Sequence, residues 1–511
     1  MNSFPWLTML GAIPLIGAVI VAALPRARPL LAKQVAIAFA LVTLVLTILL
    51  AARFEPGSAG DEQFQFVEQY DWIPSFGVSY ALGVDGISIV LIALETVLVP
   101  VCMLAGWSDV EEGGSRRSVN TYFALILVLE TMIIGVFAAT DVFLFYVFFE
   151  AMLIPMYFLI GSYGGPQRSY AAVKFLLYSL LGGLVMLAAV IGLYVVGGTF
   201  LFTDLLGVEI SETTERWLFL GFFFAFAIKA PLFPFHTWLP DAAAESTPAG
   251  AVLLVGVLDK VGTFGMLRYC LPLFPEATRY FTATVLTLCV IGILYRAQLA
   301  IGQTDMKRLI AYTSVSHFGF IALGIFALTN QGQAGSTLYM VNHGFSTAAL
   351  FLIAGFLITR GKSRLIDDYG GVQKVAPILA GTMLVAGLSS LALPGLSSFV
   401  SEFLVLVGTF TRYQVAAVLA TVGIVLAAVY ILFMYQRMMT GPVKEGNEGI
   451  RDFGAREAWV VAPLLAIIVA LGFFPAPLLD VITPATERTM EQVGATDPEP
   501  PVPVSAEGTA E

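Results

Sequence analysis

Apolar runs of about 20 residues, separated by short polar stretches, recur along the whole chain. About 20 apolar residues in a helix span the ~30 Å of a bilayer's hydrocarbon. The pattern predicts fourteen transmembrane segments, numbered in order: 4–24, 31–52, 84–107, 118–139, 142–162, 169–198, 217–238, 248–270, 278–300, 308–329, 333–359, 376–411, 413–436 and 457–482. Segment 12 is too long for one straight helix and contains Leu393-Pro394-Gly395, so it is predicted to be broken. Segment 7 reads AIKAPLFPFHTW over 227–238, with Pro231 and Pro234 just after Lys229. Irregular backbone at membrane depth survives only where protein buries it or it lines water. Paired interruptions in two halves point to inverted repeats. The expected fold is therefore an all-α polytopic membrane protein with two inverted five-helix repeats, segments 4–8 and 9–13. Its parts are three N-terminal segments (1–117), the first repeat (118–270), the second repeat (278–440), a last segment (441–482) and an acidic, proline-containing tail (483–511). The tail is expected to be disordered or loosely docked.

The charges fit that layout. The chain has 511 residues, 58% hydrophobic and 12% charged, which excludes a soluble domain. Eighteen of the 26 Lys and Arg fall on the side of the 1–2 loop, among them Arg116, Arg117, Arg296, Arg308 and Arg364. Six fall on the other side: Arg53, Arg216, Arg268, Arg279, Arg412 and Arg488. The basic excess makes the first side cytoplasmic and puts both termini outside a bacterial cell membrane. The start, MNSFPWLTML, lacks a basic region and a cleavage site and reads as a retained helix. Cys102, Cys270 and Cys289 form no metal or iron–sulfur pattern, and no glycine-rich nucleotide loop precedes a helix. The chain is expected to bind no metal or redox cofactor itself and no nucleic acid.

Two lysines remain, Lys229 and Lys260, near the middle of apolar segments. An ammonium in hydrocarbon costs at least ~2.5–3.5 kcal/mol unless paired or wetted, and such charges mark ion or proton pathways. Other ionisable residues share their depth: Glu150 in segment 5, His317 in segment 10, His343 in segment 11 and Glu402 after the break of segment 12. His236 sits just past the break of segment 7. Acid, lysine, lysine, histidine, histidine and acid form the series a proton relay needs. Asp141, Asp259, Glu130 and Glu95 are second-rank members. Blander readings stand beside this one: Glu150 as a structural hydrogen-bond anchor, Lys229 as its static partner, and the histidines as core residues bonded to carbonyls. Adjacent residues on a helix point about 100° apart, so Asp259 does not simply neutralise Lys260.

Five stretches carry a family resemblance: FFEAMLIPMYFLIGSYG (148–164), KAPLFPFHTWLPDAAAESTPAGAVLLVGVLDKVGTFG (229–265), IAYTSVSHFGFIALG (310–324), NHGFSTAALFLIAG (342–355) and LPGLSSFVSEFLVLVG (393–408). The chain resembles the antiporter-like membrane subunits of respiratory complex I, the proton-pumping NADH–quinone oxidoreductase, from about residue 80 to 440. Glu402, where the L and N branches carry Lys, and the short tail resemble the M branch. The resemblance implies proton translocation driven from a distance. Glu150 and Lys229 would form a regulatory pair and Lys260 the central carrier. His317 and His343 would lie on a hydrated axis leading to Glu402. It also implies L- and N-type neighbours on either side, with FMN and iron–sulfur clusters in other subunits. Asp259 departs from the family pattern, in which an apolar residue commonly precedes the lysine. Relatives with other roles are subunits of multi-subunit cation/proton antiporters and of membrane-bound hydrogenases; a purely structural scaffold is a further alternative.

Overall fold

The computed structural model describes residues 4–57, 63–112 and 118–499. Arg116, Arg117 and the end of the acidic tail lie outside them. The chain is a helical multi-pass membrane protein. Among the described residues, twelve helices are long and apolar enough to cross a membrane. The two expected segments not among them are 7 and 12, and both are interrupted. Segment 7 runs as Glu212–Lys229 and, after a turn, Trp238–Glu245. Segment 12 is split into Pro377–Ser390 and Ser397–Phe410. Pro231 and Pro394 cannot donate to the preceding turn. The second break also needs Gly395, whose φ of +91° suits glycine alone.

Two regions differ from the sequence reading. Residues between segments 2 and 3, expected as loop, form an antiparallel hairpin, Gln65–Ile73 with Val78–Val84. Its buried Glu68 accepts a 2.6 Å bond from the Leu7 N–H, pinning the hairpin to the first helix. The last membrane helix, Ala455–Phe473, ends well before residue 482. Phe474-Pro475 breaks it, and a second helix, Ala476–Val493, takes in residues 483–493 of the expected tail. Ile482, Ala485, Thr486, Thr489, Met490 and Val493 bury one face of that helix. Arg279 donates to the Val493 carbonyl at 2.6 Å and Asn330 to Asp497 at 2.9 Å, so this part of the tail is docked.

Contacts also group the basic residues by side. Lys174 and Arg308 both pair with Asp241, and Arg364 joins Glu245 and Asp305 at 2.8 Å each. All these cations belong to the basic-rich side. At the opposite side Arg268 meets Asp85 at 2.6 Å, both buried. Burial alone would raise the Asp85 pKa. The guanidinium and the Ser88 N–H outweigh it and hold the carboxyl below its ordinary value. A depressed folded pKa stabilises above the unfolded value, and that stabilisation is lost as pH falls through the folded one. Arg268→Ala strands Asp85 and is expected to cost about 3–5 kcal/mol, read as a lower thermal-unfolding midpoint in detergent.

One backbone pattern occurs twice. Asp141 caps the helix of segment 5, with Val142 N–H bonded to Phe200 O and Phe202 N–H to Thr140 O. Asp305 caps Met306–Phe326, with Met306 N–H bonded to Arg364 O and Ile366 N–H to Thr304 O.

Candidate functional site

Lys229 is the last residue of the half-helix Glu212–Lys229, where free carbonyls and the negative end of the helix dipole favour a cation. One such carbonyl, that of Ile228, accepts 3.0 Å from the Trp238 indole, which ties the break together. Lys229 is fully buried, and its Nζ has no hydrogen-bond partner among the described residues. It lies 4.9 Å from the ring centre of Phe149 and 5.7 Å from that of Phe175, which supply cation–π attraction. Glu150 follows Phe149 and is close enough for the two charges to interact without a direct ion pair. Glu150 rests on Gly183, where a Cβ would stand 1.7 Å from Oε1. A glycine is thus what lets this carboxylate lie against the helix Arg168–Gly197.

Lys260 is on the helix Pro248–Leu273, which is buried from Ala249 to its end. Two π-helical stretches, Leu253–Leu258 and Met266–Cys270, flank the α-helical turns that carry it. Such wide turns cluster at functional sites. Lys260 Nζ donates to the Val255 carbonyl at 2.5 Å, meets His343 Nδ1 at 2.8 Å and lies 5.1 Å from the ring centre of Phe318. With Lys260 as an ammonium, Nδ1 is the acceptor and the His343 proton sits on Nε2. Beyond it, the His343 and His317 rings are edge to face at 5.3 Å, and His317 and Tyr339 are 5.8 Å apart. The Tyr339 hydroxyl donates to Glu402 Oε2 at 2.9 Å. Lys260, His343, His317, Tyr339 and Glu402 therefore form one buried polar file. Asn342 braces its far end, donating 2.7 Å to the Ser397 carbonyl beside the segment 12 break.

Sequence reasoning missed Tyr339, since a tyrosine in an apolar helix is unremarkable. The available signal was its position four residues before His343, on the same helix face. Other expected members lie elsewhere. His236 is not part of the file: its Nδ1 meets the buried Arg296 at 2.5 Å and its ring stacks on Phe233. Asp141 serves the fold, accepting 2.9 Å bonds from the Phe143, Leu144 and Ser79 N–H groups. Glu95 and Glu130 are buried, and their carboxyl oxygens have no hydrogen-bond partners among the described residues. Asp259 is buried, and both its oxygens lack partners among the described residues. Among those residues no group of three His, Cys, Asp or Glu is placed to hold a metal.

Residues 139–427, which contain the file, match the family described as NADH:quinone oxidoreductase/Mrp antiporter, TM. The chain is 56% identical to NADH-quinone oxidoreductase subunit M of Mycobacterium tuberculosis, covering 100% of this chain and 99% of that protein. It is 40% identical to NADH-ubiquinone oxidoreductase chain 4 of Arabidopsis thaliana, covering 91% and 93%. A chain of respiratory complex I from Thermus thermophilus superposes with a TM-score of 0.87 at 32% identity, covering 96% of this chain and 100% of that one. A chain of the Mrp complex from Dietzia sp. gives 0.86 at 22% identity over 96% and 100%, a likeness of fold. The chain belongs to the subunit M family of NADH-quinone oxidoreductase, whose mitochondrial members are called chain 4.

Proposed function

We propose that this chain translocates protons across a bacterial cell membrane as an antiporter-like subunit of the membrane arm of NADH–quinone oxidoreductase. The observation that carries this reading is the buried file from Lys260 through His343, His317 and Tyr339 to Glu402. Every member can hold or pass a proton. The ring-to-ring gaps exceed a hydrogen bond, and single waters would close them. Glu150 and Lys229 act as the switch. When Glu150 is drawn away, the Lys229 charge is released to act on Lys260, and like charges favour loss of the Lys260 proton to His343. Outward movement works against ~2.3 kcal/mol per charge per 100 mV, so energy must come from elsewhere. FMN, iron–sulfur clusters and quinone reduction belong to other subunits, and L- and N-type chains flank this one. The recurring Asp141 and Asp305 bond patterns, and the two helix breaks, support an inverted-repeat relation between segments 4–8 and 9–13. The basic-rich side is cytoplasmic in this reading, and both termini face outward.

Glu150→Ala is expected to reduce NADH-driven proton uptake into inverted vesicles by about tenfold or more while the complex still assembles. Gly183→Ala, which displaces the same carboxylate, should act in the same direction more mildly. Undiminished uptake in both would defeat the switch.

A further inference from the structure

Asp259 is a fully buried carboxyl group that the relay so far does not use. A buried charge is costly unless a counter-charge is within reach. Its helix turn identifies the candidate. Gly262, three residues on and therefore on the same face, packs so tightly that a Cβ would lie 2.5 Å from the Ala230 nitrogen and 2.6 Å from the Phe226 carbonyl. The Asp259 face is thus pressed against the last turn of the half-helix that ends at Lys229. Lys260, about 100° around the helix, instead reaches His343. Asp259 lies within electrostatic reach of both lysines. Lys229 Nζ, held over the Phe149 and Phe175 rings, is hydrogen-bonded to neither Glu150 nor Asp259.

We infer that Asp259 is a second seat for the Lys229 ammonium, so that the switch alternates between two carboxylates. With Lys229 on Glu150, the Asp259 charge holds the proton on Lys260. With Lys229 on Asp259, that charge is neutralised, and Lys260 gives its proton through the 2.8 Å contact to His343. Asp259 is a positioning residue: no proton passes through it. The inference rests on the proton-translocating reading above.

The test uses the whole complex in inverted vesicles and counts protons taken up per NADH oxidised in Asp259→Asn, Asp259→Leu and Asp259→Glu, with Lys260→Ala as reference. The Asn and Leu variants should assemble and lose about tenfold in uptake, the equivalent of about 1.4 kcal/mol. Asp259→Glu, which keeps the carboxylate, should restore most of it. Wild-type uptake in Asp259→Asn together with loss in Lys260→Ala overturns the second seat and leaves the relay standing. Wild-type uptake in Lys260→Ala removes the relay itself. Failure of all three Asp259 variants to assemble makes the residue structural and also overturns the proposal.

Discussion

Lys260→Ala is expected to abolish NADH-driven proton uptake, a loss of about 10²-fold or more, with the complex still assembled. The side chain stands at the head of the file, and its only hydrogen-bond partners among the described residues are the Val255 carbonyl and His343 Nδ1. Its removal leaves the histidines without a proton source on the Lys229 side. Assembly should survive, because alanine fits a helix interior and Lys229 stays within electrostatic reach of Asp259. Blue-native gels together with proton uptake in inverted vesicles check both halves of this expectation.

Gly262→Val is expected to do the opposite: it should destabilise the subunit so that little complex assembles. The atoms a side chain would meet are backbone, at 2.5 Å and 2.6 Å, and cannot swing aside. Gly265, one turn on, already lies against the Phe226 ring. Relief requires prying the Pro248–Leu273 helix off the end of Glu212–Lys229, where overpacking costs about 1–3 kcal/mol and sometimes more. Subunit content of purified membranes reads the result, and Gly262→Ala should fall between wild type and Val.

The membrane segments, both helix breaks and the two lysines were legible because hydrocarbon tolerates few exceptions: long apolar runs, prolines and lone charges all stand out. The hairpin was not, because Gln65–Ile73 mixes polar and apolar residues with little alternation to mark a strand, and it is largely exposed. The helix Ala476–Val493 was hidden by its acids, although its buried residues recur at helical spacing. The π-helical turns around Lys260 leave no composition signature at all. For the site, sequence placed Glu150, Lys229, Lys260, His317, His343 and Glu402 at similar depth, but depth alone does not give neighbours. Tertiary packing removed His236, which Arg296 engages, and inserted Tyr339 between His317 and Glu402.

The central claim is that Lys260 carries a proton and is not a fixed charge, and Lys260→Arg tests it most directly. Arginine keeps the positive charge and much of the volume but does not give up its proton in proteins. Protons taken up per NADH oxidised, in vesicles with matched amounts of assembled complex, should fall in Lys260→Arg as far as in Lys260→Ala. A wild-type ratio in the arginine variant would contradict the account.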